Sequence, residues 1–154
     1  MLYFVLAALI TAADQIVKVL IRTGMKTGAS FDVIPGLLSI THVENRGAAF
    51  GMLEGQSAVL LVIPVVIIVL ILVFAARSDL GTIEKVSLSM IAAGGVGNLI
   101  DRLLFGQVTD MISVSFFPPV FNVADIAVTC GVALLIIMIF WQGARDKGDG
   151  NGTD

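Results

Sequence analysis

The chain has 154 residues, of which 57% are hydrophobic and only 14% charged, and its mean hydropathy is +1.00. Soluble domains carry roughly 25% charged residues, so this composition points to lipid as the solvent. A net charge of −3 provides no basic footprint for nucleic acid, and one cysteine with one histidine excludes an internal disulfide and a multi-cysteine metal site.

About 20 apolar residues cross a bilayer as a helix. The first candidate span is 2–21, apolar from its start but interrupted by Asp14 and Lys18. It lacks the basic n-region and cleavage site of a signal peptide, so we read it as a retained span. Asp14 and Lys18 stand four apart on one helix face and can pair, either as a structural ion pair or as part of a functional site. The loop 22–56 follows. Within it, 37–43 ("LLSITHV") is β-branched, partly alternating and bounded by turn residues, which predicts a short strand outside the membrane. "NRGAAFG" (45–51) puts Asn45 and Arg46 before a run of small residues.

The second span, 57–76, has no charge and contains Pro64, which a membrane helix tolerates. The third, 86–105, carries "GGVGNLIDR" (94–102). Its glycines permit close helix approach, and Asn98, Asp101 and Arg102 follow at i, i+3 and i+4. The bland reading of this motif is a packing face with an interfacial charge pair. After the loop 106–119, a fourth span covers 120–141 and opens with "FNVAD". Asn122 followed three residues later by Asp125 has the form of a helix N-cap with an acidic residue at N3. We therefore expect a membrane domain over 1–143 and a polar, glycine-rich, disordered tail over 144–154.

Four spans put both termini on one side. By the same parity, the ends and loops bearing Asp14, Lys18, Asn45, Arg46, Asn98, Asp101, Arg102, Asp110, Asn122 and Asp125 share the other. One polar site at one membrane surface results. Asp110 and Asp125 flank a stretch with no other ionisable side chain. Two carboxylates in a partly desolvated site share a proton and titrate together, giving a base for water and an acid for a carbonyl. Such chemistry requires no metal or cofactor. The chain has no H-E-x-x-H and no G-x-S-x-G. A transporter or channel subunit, or a four-helix scaffold without chemistry, are the alternatives. The first lacks a polar path through the apolar halves of the spans, and the second leaves the one-sided gathering of polar residues unexplained.

"ADQIVK" (13–18), "NRGAAFG", "GGVGNLIDR", "VTD" (108–110) and "FNVAD", in this order and across four spans, resemble the lipoprotein signal peptidase family, the bacterial signal peptidase II. The resemblance implies an all-α membrane protein of four transmembrane helices with a small extracytoplasmic β-element. It implies an aspartyl endopeptidase that cuts before the diacylglyceryl-modified cysteine of prolipoproteins, with Asp110 and Asp125 catalytic. Asp14, Lys18, Asn45, Gly95, Asn98, Arg102 and Asn122 would line or support the substrate site, and Asp101 would be structural. It further implies a monomer in the bacterial inner membrane, in contact with membrane lipid, with both termini cytoplasmic and the site near the outer face. Globomycin-type inhibitors are expected to bind. Two departures stand out: "VTDM" replaces the usual V-V-D-F, and the 110–125 loop is shorter than usual.

Overall fold

The computed structural model describes residues 2–47 and 55–149, so residues 48–51 of "NRGAAFG" lie outside the described residues. The order of elements is α1 (Leu2–Gly24), β1 (Ser30–Ile34), β2 (Leu38–Asn45), α2 (Ser57–Arg77), α3 (Thr82–Phe105), β3 (Val108–Val114), β4 (Phe117–Phe121) and α4 (Val123–Asp149). Among the described residues four helices are long and apolar enough to cross a membrane. The protein is an all-α, four-helix membrane protein with a small open β-sheet outside the helices.

Each span is found close to its expected place. α2 runs unbroken through Pro64. α4 starts at Val123 and continues to Asp149, past the expected end of the fourth span and into the segment read as a tail; 150–154 lie outside the described residues. α3 is the hub, packing on α1, α2 and α4. Its close crossing with α4 depends on glycine. A Cβ at Gly94 would sit 2.3 Å from the Ala124 carbonyl oxygen, and one at Gly131 would sit 2.7 Å from that of Ser87. Away from these contacts, large apolar side chains such as Leu70, Ile137 and Phe140 point outward. In a bilayer that orientation costs nothing, because lipid is as apolar as the side chain.

The strand expected at 37–43 is β2, but it belongs to a four-stranded antiparallel sheet of order β1-β2-β3-β4. The segment read as the loop 106–119 is largely β3 and part of β4. Pro118 and Pro119 lie on β4, an edge strand: successive N–H positions face opposite edges, so one missing N–H faces away from the sheet and the other coincides with the irregular β3–β4 register between Ile112 and Val114. α3 ends on Gly106, which adopts φ 71° and donates its N–H to the Arg102 carbonyl, so the chain turns directly into β3.

Register makes the sheet two-faced. Phe31, Ile40, Ile112 and Phe121 pair in one cross-strand row, and Ile34, Leu38, Val114 and Phe117 in another, all on the same face. Between these rows, Asp32, Ser39 and Ser113 point the other way, with Ser39 donating to Asp32 at 2.8 Å. The alternation along β3 puts Asp110 on the apolar face with Ile112 and Val114.

Candidate active site

α1 brings a buried charge cluster to the base of the site. Lys18, fully buried, lies 2.9 Å from Asp14 and 3.5 Å from Asp101, both also fully buried. Arg22 reaches Asp101 at 3.2 Å and donates to the Thr109 hydroxyl at 3.0 Å. The acids in turn hold backbone. Asp14 Oδ1 accepts the Ala124 N–H at 2.9 Å, fixing the start of α4, and Asp101 Oδ2 accepts the Thr109 N–H at 2.9 Å, fixing β3. Each of these anchored residues precedes an aspartate, Asp125 and Asp110 respectively. Buried ions are tolerable only when paired and hydrogen-bonded, and here every member has partners.

Above this cluster, three asparagines supply the two remaining carboxylates. Asn122 caps α4 by accepting the Asp125 N–H at 2.9 Å, while Asp125 Oδ2 accepts the Asn122 N–H at 3.1 Å. This reciprocal pair is the capping box read from "FNVAD". Asn122 Nδ2 donates to Asp110 Oδ1 at 2.7 Å and to Asn98 Oδ1 at 3.0 Å. Asn98 Nδ2 donates to Asp125 Oδ1 at 2.8 Å, and Asn45 Nδ2 donates to Asp110 Oδ2 at 2.9 Å. In each amide the oxygen faces a group that can only donate: the Lys18 ammonium for Asn98, the Asp125 N–H for Asn122, and the Gly47 N–H for Asn45. The NH₂ groups are thereby all turned toward carboxylates.

Asp110 and Asp125 open into one cavity of about 710 Å³. Asn45, Asn98, Arg102 and Asn122 complete its polar end. The β3–β4 hairpin, through Val114, Phe117 and Phe121, forms one apolar wall, and α4, through Ile126 and Cys130, forms another. Asp110 is only 2% exposed. Burial lifts its carboxyl from an ordinary 3.8 to about 6; the Asn45 and Asn122 amides oppose the rise, the Asp125 charge adds to it and Lys18 opposes it. Arg102 donates to the Gly47 carbonyl at 3.2 Å.

Of the residues expected at the site, Asp110, Asp125, Asn45, Asn98, Arg102 and Asn122 line the cavity together. Asp14 and Lys18 lie beneath it and act through Asn98 and the start of α4. Asp101 is apart from the cavity, inside the charge cluster. Gly95 does not line the cavity either; a Cβ there would meet Ile68 of α2, and the glycine that faces the cluster is Gly97, 2.5 Å from Asp14 Oδ2 by the same construction. Gln15, Arg22 and Thr109 were not singled out from the sequence. Gln15 donates to the Gly97 carbonyl at 3.0 Å, and Arg22 continues the four-residue stride of Asp14 and Lys18, a signal that was present.

Residues 6–141 match the family model described as signal peptidase (SPase) II. A lipoprotein signal peptidase of Staphylococcus aureus strain JH9 is 39% identical over 146 residues, spanning 92% of this chain and 90% of that protein, and the protein of strain Newman matches to the same degree. Among solved structures, a bacterial membrane enzyme determined by the in meso method at 2.3 Å superposes with a TM-score of 0.88 at 35% identity, over 99% of this chain and 93% of that one. A second, at 1.9 Å, gives 0.82 at 37% identity, over 89% and 91%.

Proposed function

Since the chain belongs to the lipoprotein signal peptidase (signal peptidase II) family of multi-pass bacterial membrane proteins, we propose that it is an aspartyl endopeptidase that removes the signal peptide of diacylglyceryl-modified prolipoproteins, cutting just before the lipidated cysteine. The observation that carries this reading is the convergence of Asp110 and Asp125, from β3 and α4, on one cavity with apolar walls. The apolar wall suits a lipid-modified residue, and the polar end suits a peptide bond.

In this reaction the pair holds one proton. One carboxylate takes a proton from water as the water oxygen bonds to the carbonyl carbon, and the other carboxyl gives its proton to the carbonyl oxygen. Collapse of the tetrahedral adduct breaks the C–N bond. The nitrogen takes the proton that had come from water and leaves as the free amine of the lipidated cysteine, while a hydroxyl of the adduct returns its proton to the other carboxylate, so that the signal peptide ends in a carboxyl group and the pair again holds one proton. Asn45, Asn98 and Asn122 hold the pair in place, Asp14 and Lys18 support them, and Asp101 is structural. An even number of spans puts both termini on one side of the membrane; in this reading, as the family resemblance implies, that side is the cytoplasm and the site lies at the outer face. The enzyme acts as a monomer, and globomycin-type inhibitors occupy the same cavity.

The test mixes purified protein with a diacylglyceryl-modified prolipoprotein and follows the gel shift, beside Asp110→Asn, Asp125→Asn and a chelator control. Cleavage by the wild type, insensitive to chelator and abolished in both variants, is expected. A folded Asp110→Asn protein with normal turnover would remove Asp110 from the chemistry.

A further inference from the structure

The two carboxylates have different surroundings. Asp125 sits in the first turn of α4, where the helix dipole and the free N–H groups favour negative charge. Its Oδ2 closes the capping box on the Asn122 N–H, and its Oδ1 takes the Asn98 NH₂, which the Lys18 ammonium holds in that direction. It is half-buried, so the cavity reaches it. Asp110 lies on a strand, without a helix dipole, and is 2% exposed. Among the described residues, its two oxygens are met by neutral side-chain amides alone.

Among the described residues, the charged groups around the pair are few. From α3, Arg102 attracts both carboxylates, Asp125 more strongly than Asp110. Asp101, also on α3, is occupied with Lys18 and Arg22. From α1, Lys18 also favours charge on Asp110, but less than the Asn45 and Asn122 amides do, and its three donors are directed to Asp14, Asn98 and Asp101.

We propose that the dyad is asymmetric: Asp125 is the resting carboxylate and the base toward water, and Asp110 carries the shared proton and is the acid toward the peptide carbonyl. This rests on the dyad reading above and adds the division of labour within it. The rise of the Asp110 carboxyl to about 6 agrees with it. So does exposure: both carboxyls line the cavity, and the more exposed of the two, Asp125, is the one that meets water.

Two measurements test the assignment. In protein carrying ¹³C at the aspartate side-chain carboxyl, isotope-edited infrared spectra at about pH 5, above the ordinary aspartate value, should show a protonated-carboxyl band. That band should persist in Asp125→Asn and vanish in Asp110→Asn. The reverse pattern, a band surviving both replacements, or no band in the wild type would each overturn the assignment. The second measurement uses the unaltered protein, so it does not depend on how the variants fold. An apolar epoxide is opened by a carboxylate, whereas a diazoacetyl ester esterifies a protonated acid. Peptide mass spectrometry should find the epoxide adduct on Asp125 and the diazo-derived ester on Asp110; inverted labelling overturns the proposal. Expected labelling without cleavage of the modified prolipoprotein would uphold the charge placement and remove the proposed reaction. Cleavage with inverted labelling would do the opposite.

Discussion

The ammonium of Lys18 and the amide oxygen of Asn98 are 2.8 Å apart, and this contact fixes which way the amide faces. Turning Asn98 over would set NH₂ against ammonium and oxygen against the Asp125 carboxylate, unfavourable at both ends. A residue of α1 thus governs the hydrogen bonding of an aspartate on α4 without touching it.

Asn98→Asp follows from this geometry. A carboxylate still satisfies Lys18, so the fold should survive, with an unchanged circular dichroism spectrum in detergent. It cannot donate to Asp125, and it adds a third carboxyl group, with its negative charge, beside the pair. Turnover should fall roughly 10–100-fold, the worth of a hydrogen bond to a charged group, and the pH profile should move upward because like charge disfavours ionisation. Equal turnover in Asn98→Asp and wild type would show that the amide supplies nothing.

Asn122→Asp separates cap from chemistry. Aspartate caps as well as asparagine, so the thermal midpoint should stay close to that of the wild type. The lost donor to Asp110 should still reduce cleavage by roughly 10–100-fold. Asn122→Ala, by contrast, should lose stability too, by about 1 kcal/mol for the cap alone. Thermal unfolding beside gel-shift rates distinguishes the two.

Asp110 also imposes a pH dependence. Its folded value of about 6 stands above the ordinary 3.8, so between these limits the folded state binds more protons than the unfolded. Stability from this group is complete below pH 3.8 and is lost as pH rises through about 6, a swing of up to about 3 kcal/mol. Asp110→Asn should lack that swing in denaturation series across the range. Activity should parallel it: kcat/KM declines on the alkaline side as the free enzyme's shared proton is lost near pH 6.

Asp101→Asn should behave differently from either dyad variant. It leaves Lys18 and Arg22 with one fewer buried anion, and removing one partner from such a pair costs about 3–5 kcal/mol. The fraction that remains folded should cleave within a few-fold of wild type. Folded protein without activity would place Asp101 in the reaction.

Gly97→Ala and Gly95→Ala form a matched pair. The first puts Cβ 2.5 Å from an Asp14 oxygen that Lys18 and the Ala124 N–H hold in place, so it should cost about 1–3 kcal/mol. The second meets Ile68 at an ordinary 3.4 Å and gains roughly 1 kcal/mol of helix propensity. Thermal shifts of opposite sign are expected.

Spans, the capping box and the gathering of polar residues at one end could be read from the sequence because each depends on local period, spacing or the parity of crossings. The sheet could not. β2 and β3 pair across the whole of α2 and α3, and the prolines of β4 disguise a strand whose edge position makes them harmless. Which glycine of α3 meets the charge cluster was hidden for a related reason. Whether Gly95 or Gly97 faces Asp14 depends on how α3 crosses its neighbours, and Asp101 is distinguished from Asp110 only by partners on other elements. Thr109 holds Asp101 through its backbone N–H, which carries no sequence signal at all.

Pro118 and Pro119 bear on inhibitor design. They place two successive residues without N–H on the strand that borders the cavity. Since successive N–H positions face opposite edges, a compound built to extend the sheet at that rim would find a donor missing where one of its own carbonyls needs it. Selectivity would then come from matching the aromatic wall and from bridging two carboxylates, and a rigid ring closed in advance has more to gain there than a linear strand mimic.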